Sequence, residues 1–216
     1  MAESPTRPLV LAVPKGRVLA QLTPVLAAHG VDTADVLADD RRLVRRDNAT
    51  GLAFLLLKPD DVPTYVEYGA ADMGVVGRDV LLEREYDLYE PLDLGIGRCR
   101  MVVAGFAGRA LPRDRPVRVA TKFPGIAGRH FARKGIAVEL IFVQGSVEIA
   151  PLVGLSDVIV DLVESGETLR QNGLAELETI VEVSSLVVVN RLAFKLHERP
   201  LRALLSALAT LAVARS

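Results

Sequence analysis

The chain has 216 residues, half of them hydrophobic and a quarter charged, with 26 Lys and Arg against 27 Asp and Glu for a formal net charge of −1. That length suits one large or two small domains burying roughly 70% of the unfolded surface, and the balanced charge excludes the long-range field of a nucleic-acid binder. A single cysteine, Cys99, excludes an internal disulfide and suits a reducing cytoplasm; in its apolar-flanked run it reads as packed rather than reactive.

The N-terminal Met-Ala-Glu-Ser-Pro-Thr-Arg-Pro carries an acid and two prolines where an export leader needs a basic start and an apolar core, so no export is expected. Leu9 to Val13 reads as an apolar strand, and Val18 to His29 as a helix closed by Gly30. Between them lies Pro-Lys-Gly-Arg at 14–17, in which Lys15, a flexible glycine and Arg17 at a helix mouth form either an anion site or an ordinary surface turn. Arg41, Arg42, Arg45 and Arg46 surround Leu43 and Val44 in an edge or ribbon strand, whose charges are ligands or a solvated face.

Leu52 to Leu57 reads as a buried strand, Asp61 with Pro63 opens a helix through Tyr68, and Met73 to Val76 is the next strand. Asp72, Gly74, Gly77 and Asp79 then form Asp-x-Gly-x-x-Gly-x-Asp, found at plain strand ends as well as in nucleotide sites, with Asp79 as a helix cap. Strands near Tyr86 to Leu94 and Cys99 to Gly105 lead into a Gly-, Pro- and Arg-rich segment, 105–116, which reads as the domain boundary. A second alternating run follows: strand Val117 to Thr121, a helix to Lys134, strand Val138 to Val143, a helix after Gly145, and a return strand near Glu182 to Val189. The alternation predicts an α/β fold of two lobes, 1–106 with 190–216 and 107–189, binding ligand in a cleft at the strand ends.

Asp157 to Leu169 is the most informative stretch. Val158 to Val160 suits a strand buried on both faces of a parallel sheet; Gly166 lets backbone approach a ligand, and Ser165 and Thr168 add hydroxyls beside the unpaired amides of a helix start. Asp161 and Glu164 suit ribose hydroxyls or Mg2+, so the loop reads as a cradle for a phosphorylated sugar. The plainer reading is a strand-to-helix turn capped by Ser165.

The stretch sits inside a longer pattern: Glu148, Gly154, Ser156, Ile159, Asp161, Leu162, Ser165, Gly166, Thr168 and Leu169. This resembles the signature of the ATP phosphoribosyltransferase family, enzymes of the first step of histidine biosynthesis. The likeness runs from Leu9 to about Lys195 and takes in Pro-Lys-Gly-Arg at 14–17, Asp-Val-Pro-Thr-Tyr-Val-Glu at 61–67, Gly-Ala-Ala-Asp-Met-Gly-Val-Val-Gly-Arg-Asp-Val-Leu at 69–81, Ala-Thr-Lys-Phe-Pro at 120–124 and Gly-Ser-Val-Glu-Ile-Ala-Pro at 145–151.

The resemblance implies a fold like the two-lobed type II periplasmic binding proteins. It also implies attack by N1 of ATP on the anomeric carbon of 5-phosphoribosyl diphosphate, with Mg2+ on the substrate phosphates and no enzyme nucleophile. In that scheme Ser165, Gly166 and Thr168, with Glu167 and Leu169 in the same loop, hold the 5-phosphate. Asp161 and Glu164 hold ribose hydroxyls, and Glu148 orients the sugar or supports the loop. Lys15, Arg17 and Arg41 take the pyrophosphate; Arg41, Arg42 and Leu43 match the family's Arg, Lys or Arg, then Leu. Asp72, Gly74 and Gly77 line the ATP side, and Phe123, where many members have Tyr, stacks on adenine. Lys58 stands where members have Arg or Lys and is given no role, and no metal ligand is assigned.

His29, His130 and His197 read as exposed or capping rather than catalytic. The segment from Arg199 to Arg215 is apolar on almost every side, which predicts burial partly in a subunit interface. By resemblance the chain is the short form, lacking a C-terminal regulatory domain. It is then expected to be a cytoplasmic homodimer within a hetero-oligomer with a histidyl-tRNA-synthetase-like regulatory subunit, with no nucleic-acid or membrane partner. A non-catalytic bilobed binding module and a phosphoribosyltransferase for another base are the competing readings.

Overall fold

The computed structural model describes residues 7–38 and 40–213, apart from the side chain of Val213; the export reading rests mainly on residues outside that range. The chain forms two compact α/β units. The first takes the described residues up to Leu81, Glu85–Gly97 and those from Ser184 onward, and the second takes Leu82–Arg84 and Arg98–Val183.

Strands and helices are numbered in chain order. The first unit holds a six-stranded sheet of β2 (Val44–Arg46), β3 (Ala53–Leu57), β1 (Val10–Pro14), β4 (Met73–Gly77), β11 (Ser185–Asn190) and β5 (Leu88–Asp93), side by side in that order. β1 is parallel to β3 and β4, whereas β2, β11 and β5 join antiparallel. The period-2 alternation of the strands supplies two apolar faces. Leu11, Val13, Phe54, Val75 and Val187 pack against Leu19, Leu22 and Leu26 of α1 (Arg17–Ala28) and Leu201, Leu204 and Leu208 of α9 (Glu198–Val213). Ala12, Val76 and Val188 pack on the other side against Val62 and Val66 of α3 (Val62–Glu67). α2 (Thr33–Leu37), α4 (Arg78–Glu83) and α8 (Arg191–Leu196) complete this part of the chain.

The second unit holds a five-stranded sheet of β10 (Ala175–Val183), β6 (Cys99–Gly105), β9 (Val158–Val163), β7 (Val117–Thr121) and β8 (Val138–Phe142). Its helices are α5 (Pro124–Arg133), α6 (Ile149–Leu152) and α7 (Glu167–Gln171). α5 is capped by a residue distant in sequence: Glu83 accepts from the Gly125 and Ile126 amides at 2.7 and 2.9 Å. A Cβ on Gly125 would lie 2.8 Å from the Glu83 carbonyl oxygen, so only glycine admits that approach.

Several expectations are corrected. β9 is parallel to β7 but antiparallel to β6, so the sheet around Val158 to Val160 is mixed. The units divide at 97/98 and 183/184, where the sequence reading divides the chain at 106/107 and 189/190. β6 pairs with β9 and β10, and β11 pairs with β4 and β5, which assigns each to the opposite unit from the one expected. The segment 105–116 is not the linker. Arg115 clamps Asp157 with two bonds of 2.7 Å, and the Arg118 amide donates to the same carboxylate at 2.9 Å, which ties the segment to the second unit.

The single return strand is two strands, β10 and β11, one in each sheet. α9 is amphipathic rather than apolar all round: Leu201, Leu204 and Leu208 are buried in their own unit, Leu205 and Leu211 pack against the same core, and Arg202, Ala203, Ser206 and Thr210 are exposed. Residues 214 and 215 of that segment lie outside the described range. Asp79 lies in the first turn of α4, which already begins at Arg78. Among the described residues no helix is long and apolar enough to cross a membrane.

Candidate functional site

In the second unit the carboxyl ends of β7, β8 and β9 gather at one edge of the sheet, because β7 is parallel to both neighbours, with Thr121 opposite Phe142 and Val160. The loop after β9 turns through Gly166, which has φ 74° and ψ 5°, a left-handed conformation that costs other residues. Arg170 N donates to Gly166 O at 3.1 Å and opens the helical ladder of α7, so the amides of Glu167, Thr168 and Leu169 precede it. Ser165 Oγ accepts from the first of these at 3.3 Å. The N-cap residue of α7 is Gly166 rather than Ser165.

Thr168 is exposed, and its hydroxyl has no partner among the described residues. Leu169 is buried in the core, so only its amide faces the question of ligand binding, and the Glu167 carboxylate is taken up by Arg170 and Gln171. Arg170 and Gln171 hold that carboxyl below its ordinary value. Two guanidiniums brace the loop from outside: Arg170 donates to Ser165 O at 3.1 Å and Arg100 to Glu164 O at 3.2 Å. Sequence reasoning missed both. The three-residue spacing from Glu167 could have pointed to Arg170, whereas nothing local connects Arg100 with Glu164.

Asp161 stands near the end of β9, half-buried, with its Oδ1 accepting from Leu162 N at 2.8 Å. Burial, with the nearby Glu148 carboxylate adding to it, pushes the Asp161 carboxyl up to about 6, against the Leu162 amide and the Lys122 ammonium, which pull it down. Asp161, Glu148 and Lys122 are therefore one electrostatic group at the sheet edge. Lys122 is a third residue that sequence reasoning passed over, although it lies inside Ala-Thr-Lys-Phe-Pro. Glu148 stands at the start of α6, in a loop where Ser146 has φ 50°, the one left-handed residue other than glycine among those described.

Phe123 is not an open stacking face. It is 4% exposed and belongs to the apolar cluster formed with Met101, Val103, Val119 and Ile126. His130 is likewise buried rather than exposed, with Nε2 3.5 Å from Glu178, and burial pulls its pKa down.

In the first unit Pro14 is opposite Leu57, Lys15 N donates to Leu57 O at 3.3 Å, and Leu56 N donates to Leu43 O at 2.8 Å. The carboxyl ends of β1 and β3 and the approach to β2 thus share an edge, which brings the segments bearing Lys15, Lys58 and Arg41 together. Lys15 and Arg41 are exposed and without an ion partner among the described residues; Arg17 opens α1 behind Gly16, whose φ is 84°. Arg42 and Arg45, by contrast, are held by Asp35, Asp40 and the Ala38 carbonyl.

Two of the expected ATP residues serve the fold. Asp72 is 1% exposed and accepts from Arg7 and from Val10 N at 2.9 Å, so its carboxylate is fully committed. Gly74 is buried, and a Cβ there would lie 2.7 Å from Val62 and 2.8 Å from Val66, so its smallness admits α3 rather than a ligand. Gly77, half-buried at the end of β4, lies close to the Asp79 carboxylate.

A chain of two α/β sheets, whose second unit ends a buried strand in an acid-flanked, glycine-opened loop, has the make-up of a sugar-phosphate transferase on the type II periplasmic-binding-like fold. A family model described as HisG: ATP phosphoribosyltransferase matches residues 58–210. An ATP phosphoribosyltransferase of Sorangium cellulosum is 58% identical over 203 residues, covering 94% of this chain and 95% of that one. ATP phosphoribosyltransferase 2 of Geobacter sulfurreducens is 49% identical, covering 87% and 90%. The solved ATP phosphoribosyl transferase (HisG:HisZ) complex from Thermotoga maritima contains a chain 37% identical, with a TM-score of 0.83 and coverage of 94% and 98%. The chain belongs to the ATP phosphoribosyltransferase family, and so to the pentosyltransferases.

Proposed function

We propose that this chain transfers the phosphoribosyl group of 5-phosphoribosyl diphosphate to N1 of ATP with release of pyrophosphate, the first step of histidine biosynthesis. The observation that carries the reading is the loop after β9, where left-handed Gly166, five residues after Asp161, opens α7 beneath three leading amides. Ser165, Gly166 and Thr168, with the amides of Glu167 and Leu169, are assigned to the 5-phosphate. Asp161 and Glu164 are assigned to the ribose hydroxyls; burial, with Glu148 adding to it, favours the protonated form of Asp161 against the Leu162 amide and Lys122. Lys15, Arg17 and Arg41 are assigned to the diphosphate, and Gly77 alone is kept for ATP.

The N1 lone pair forms the new bond to the anomeric carbon while the bond from that carbon to the pyrophosphate oxygen breaks, and its electron pair leaves with pyrophosphate. Such a reaction needs alignment and neutralisation of the departing charge rather than an enzyme nucleophile. Among the described residues no cluster of three or more His, Cys, Asp or Glu could cage a metal. Asp161 and Glu148 supply the one or two carboxylates that suit Mg2+ held mainly by substrate phosphates, where the ion would offset the charge of the diphosphate.

The chain is further proposed to work in the cytoplasm as a homodimer within a hetero-oligomer with a regulatory subunit; the Thermotoga maritima relative solved as a HisG:HisZ complex supports the hetero-oligomer. Incubating the purified chain with ATP, 5-phosphoribosyl diphosphate and Mg2+ should produce the ultraviolet absorbance of the adduct. No adduct with all three present, or equal yield when ATP is replaced by another base, refutes the proposal.

A further inference from the structure

A groove of about 830 Å3 in the first unit has no part in the proposed transfer reaction. It is lined by Leu9 and Leu52, which precede β1 and β3 and are joined where Ala53 N donates to Leu9 O at 2.8 Å. The groove therefore lies at the amino ends of two strands whose carboxyl ends lead to Lys15 and Lys58. The corner between α8 and α9 adds Lys195, Leu196, His197, Arg199 and Leu204, and His29 comes from the end of α1. Charge is unbalanced there. Arg7 is answered by Asp72 and Glu198 by Arg202, whereas Lys195 and Arg199 are exposed and have no ion partner among the described residues. Two imidazoles line the same groove. His29 is exposed, and half-buried His197 is fixed at the corner because its amide donates to Ala193 O at 2.8 Å and its carbonyl accepts from Leu201 N at 3.1 Å.

We propose that this groove is a second anion site, which takes a small phosphate monoester with an apolar body. A carboxylate brings one negative charge, whereas a phosphate monoester above its second pKa of about 6 brings nearly two, which matches Lys195 and Arg199. The imidazoles of His29 and His197 can donate to the remaining oxygens. A groove of that volume suits a molecule larger than the phosphate group alone. Leu9, Leu52, Leu204 and Leu196, the last 68% exposed, offer apolar contact to the rest of the ligand. The site uses neither Lys15, Arg17 and Arg41 nor the loop after β9, so it stands independently of the phosphoribosyl reading.

The chain has three histidines; two line the groove, and His130 is buried in the second unit beside Glu178. The imidazole Hε1 signals of the full chain are followed by proton NMR at about pH 7.5, where the phosphate monoester is a dianion, and at constant ionic strength. His130→Gln identifies the reference signal. The probes are phenyl phosphate, inorganic phosphate, which lacks the ring, and benzoate, which has the ring but a single charge. Phenyl phosphate is expected to shift His29 and His197 saturably while His130 stays, and to bind about threefold or more tighter than either other probe. Replacing both groove cations, Lys195→Gln with Arg199→Gln, should weaken phenyl phosphate about tenfold and leave thermal unfolding at the parental value, since both side chains are exposed. Should the pair not fold, Arg199→Gln alone is read, with about threefold weakening expected. No saturable shift at His29 and His197, an equal shift at His130, or unchanged affinity in the folded variant overturns the inference. Inorganic phosphate or benzoate binding as tightly as phenyl phosphate overturns it as well. The shifts are read without substrates, so they decide the groove whether or not the chain forms the adduct.

Discussion

Gly166→Ala is the sharpest perturbation of the phosphate loop, because the residue must adopt φ 74° and its new Cβ would lie 3.1 Å from Glu176 Oε1 and 3.4 Å from Arg170 Nη1. Both neighbours are the ends of flexible side chains and can yield, so the conformational cost dominates, about 1–2 kcal/mol for a residue other than glycine in the left-handed region. If the loop relaxes to avoid that cost, the amides of Glu167, Thr168 and Leu169 lose their alignment and phosphate binding weakens by a similar amount. The expected result is an apparent constant for 5-phosphoribosyl diphosphate raised about 5- to 30-fold, with that for ATP nearly unchanged. Gly135→Ala is the control: that glycine has φ 69° and open space around it, so it imposes the same backbone cost away from the loop. Initial-rate kinetics on both variants beside thermal unfolding separates binding from stability. Equal effects of the two substitutions on the sugar constant, or none from Gly166→Ala, would refute the assignment of the loop.

Thr168→Val should raise the apparent constant for 5-phosphoribosyl diphosphate about tenfold or more while sparing ATP, since a hydroxyl bonded to a charged phosphate is worth about 1.5–3 kcal/mol; titrations in which ATP affinity falls instead reverse the assignment. Arg17→Ala and Arg41→Ala should each lower turnover about a hundredfold while weakening 5-phosphoribosyl diphosphate binding less, because leaving-group charge develops in the transition state; near-normal turnover in both removes them from the mechanism. Asp157→Asn should be less stable than the parent protein in urea at pH 7, with the gap closing in acid. Arg115, first of all, holds the folded-state carboxyl well below its ordinary value, so its contribution is complete above about pH 4 and is lost as pH falls below that. A stability difference that is unchanged at pH 3 would contradict that linkage.

Much of the fold was legible because the strands of both units are short apolar runs bounded by turns. Val10–Pro14, Met73–Gly77 and Val117–Thr121 lie within a residue of their expected limits. β10 escaped because Ala175–Val183 interleaves Glu176, Glu178 and Glu182 with its apolar residues and leans on the sheet edge, so it lacks the continuous apolar character of a central strand. The unit boundary was misplaced for a related reason. Composition marks 105–116 as a linker, but the bidentate Arg115–Asp157 clamp joins residues 42 positions apart, which no local window reveals.

At the candidate site the motif located the loop and its acids. It could not distinguish a glycine needed by a ligand from one needed by packing: Gly166 has left-handed torsions, whereas Gly74 is pressed by Val62 and Val66. Nor could it show that Asp72 is bound by Arg7, or that Phe123 closes a core rather than facing adenine.

The most direct test of phosphoribosyl transfer is the identity and stoichiometry of the products, measured by mass spectrometry and 31P NMR after incubating the chain with ATP, 5-phosphoribosyl diphosphate and Mg2+. The expected outcome is one pyrophosphate released per adduct, with the adduct keeping the triphosphate of ATP intact and carrying ribose 5-phosphate on N1 of the adenine. Pyrophosphate release without an adduct, or an adduct linked anywhere other than N1, would contradict it.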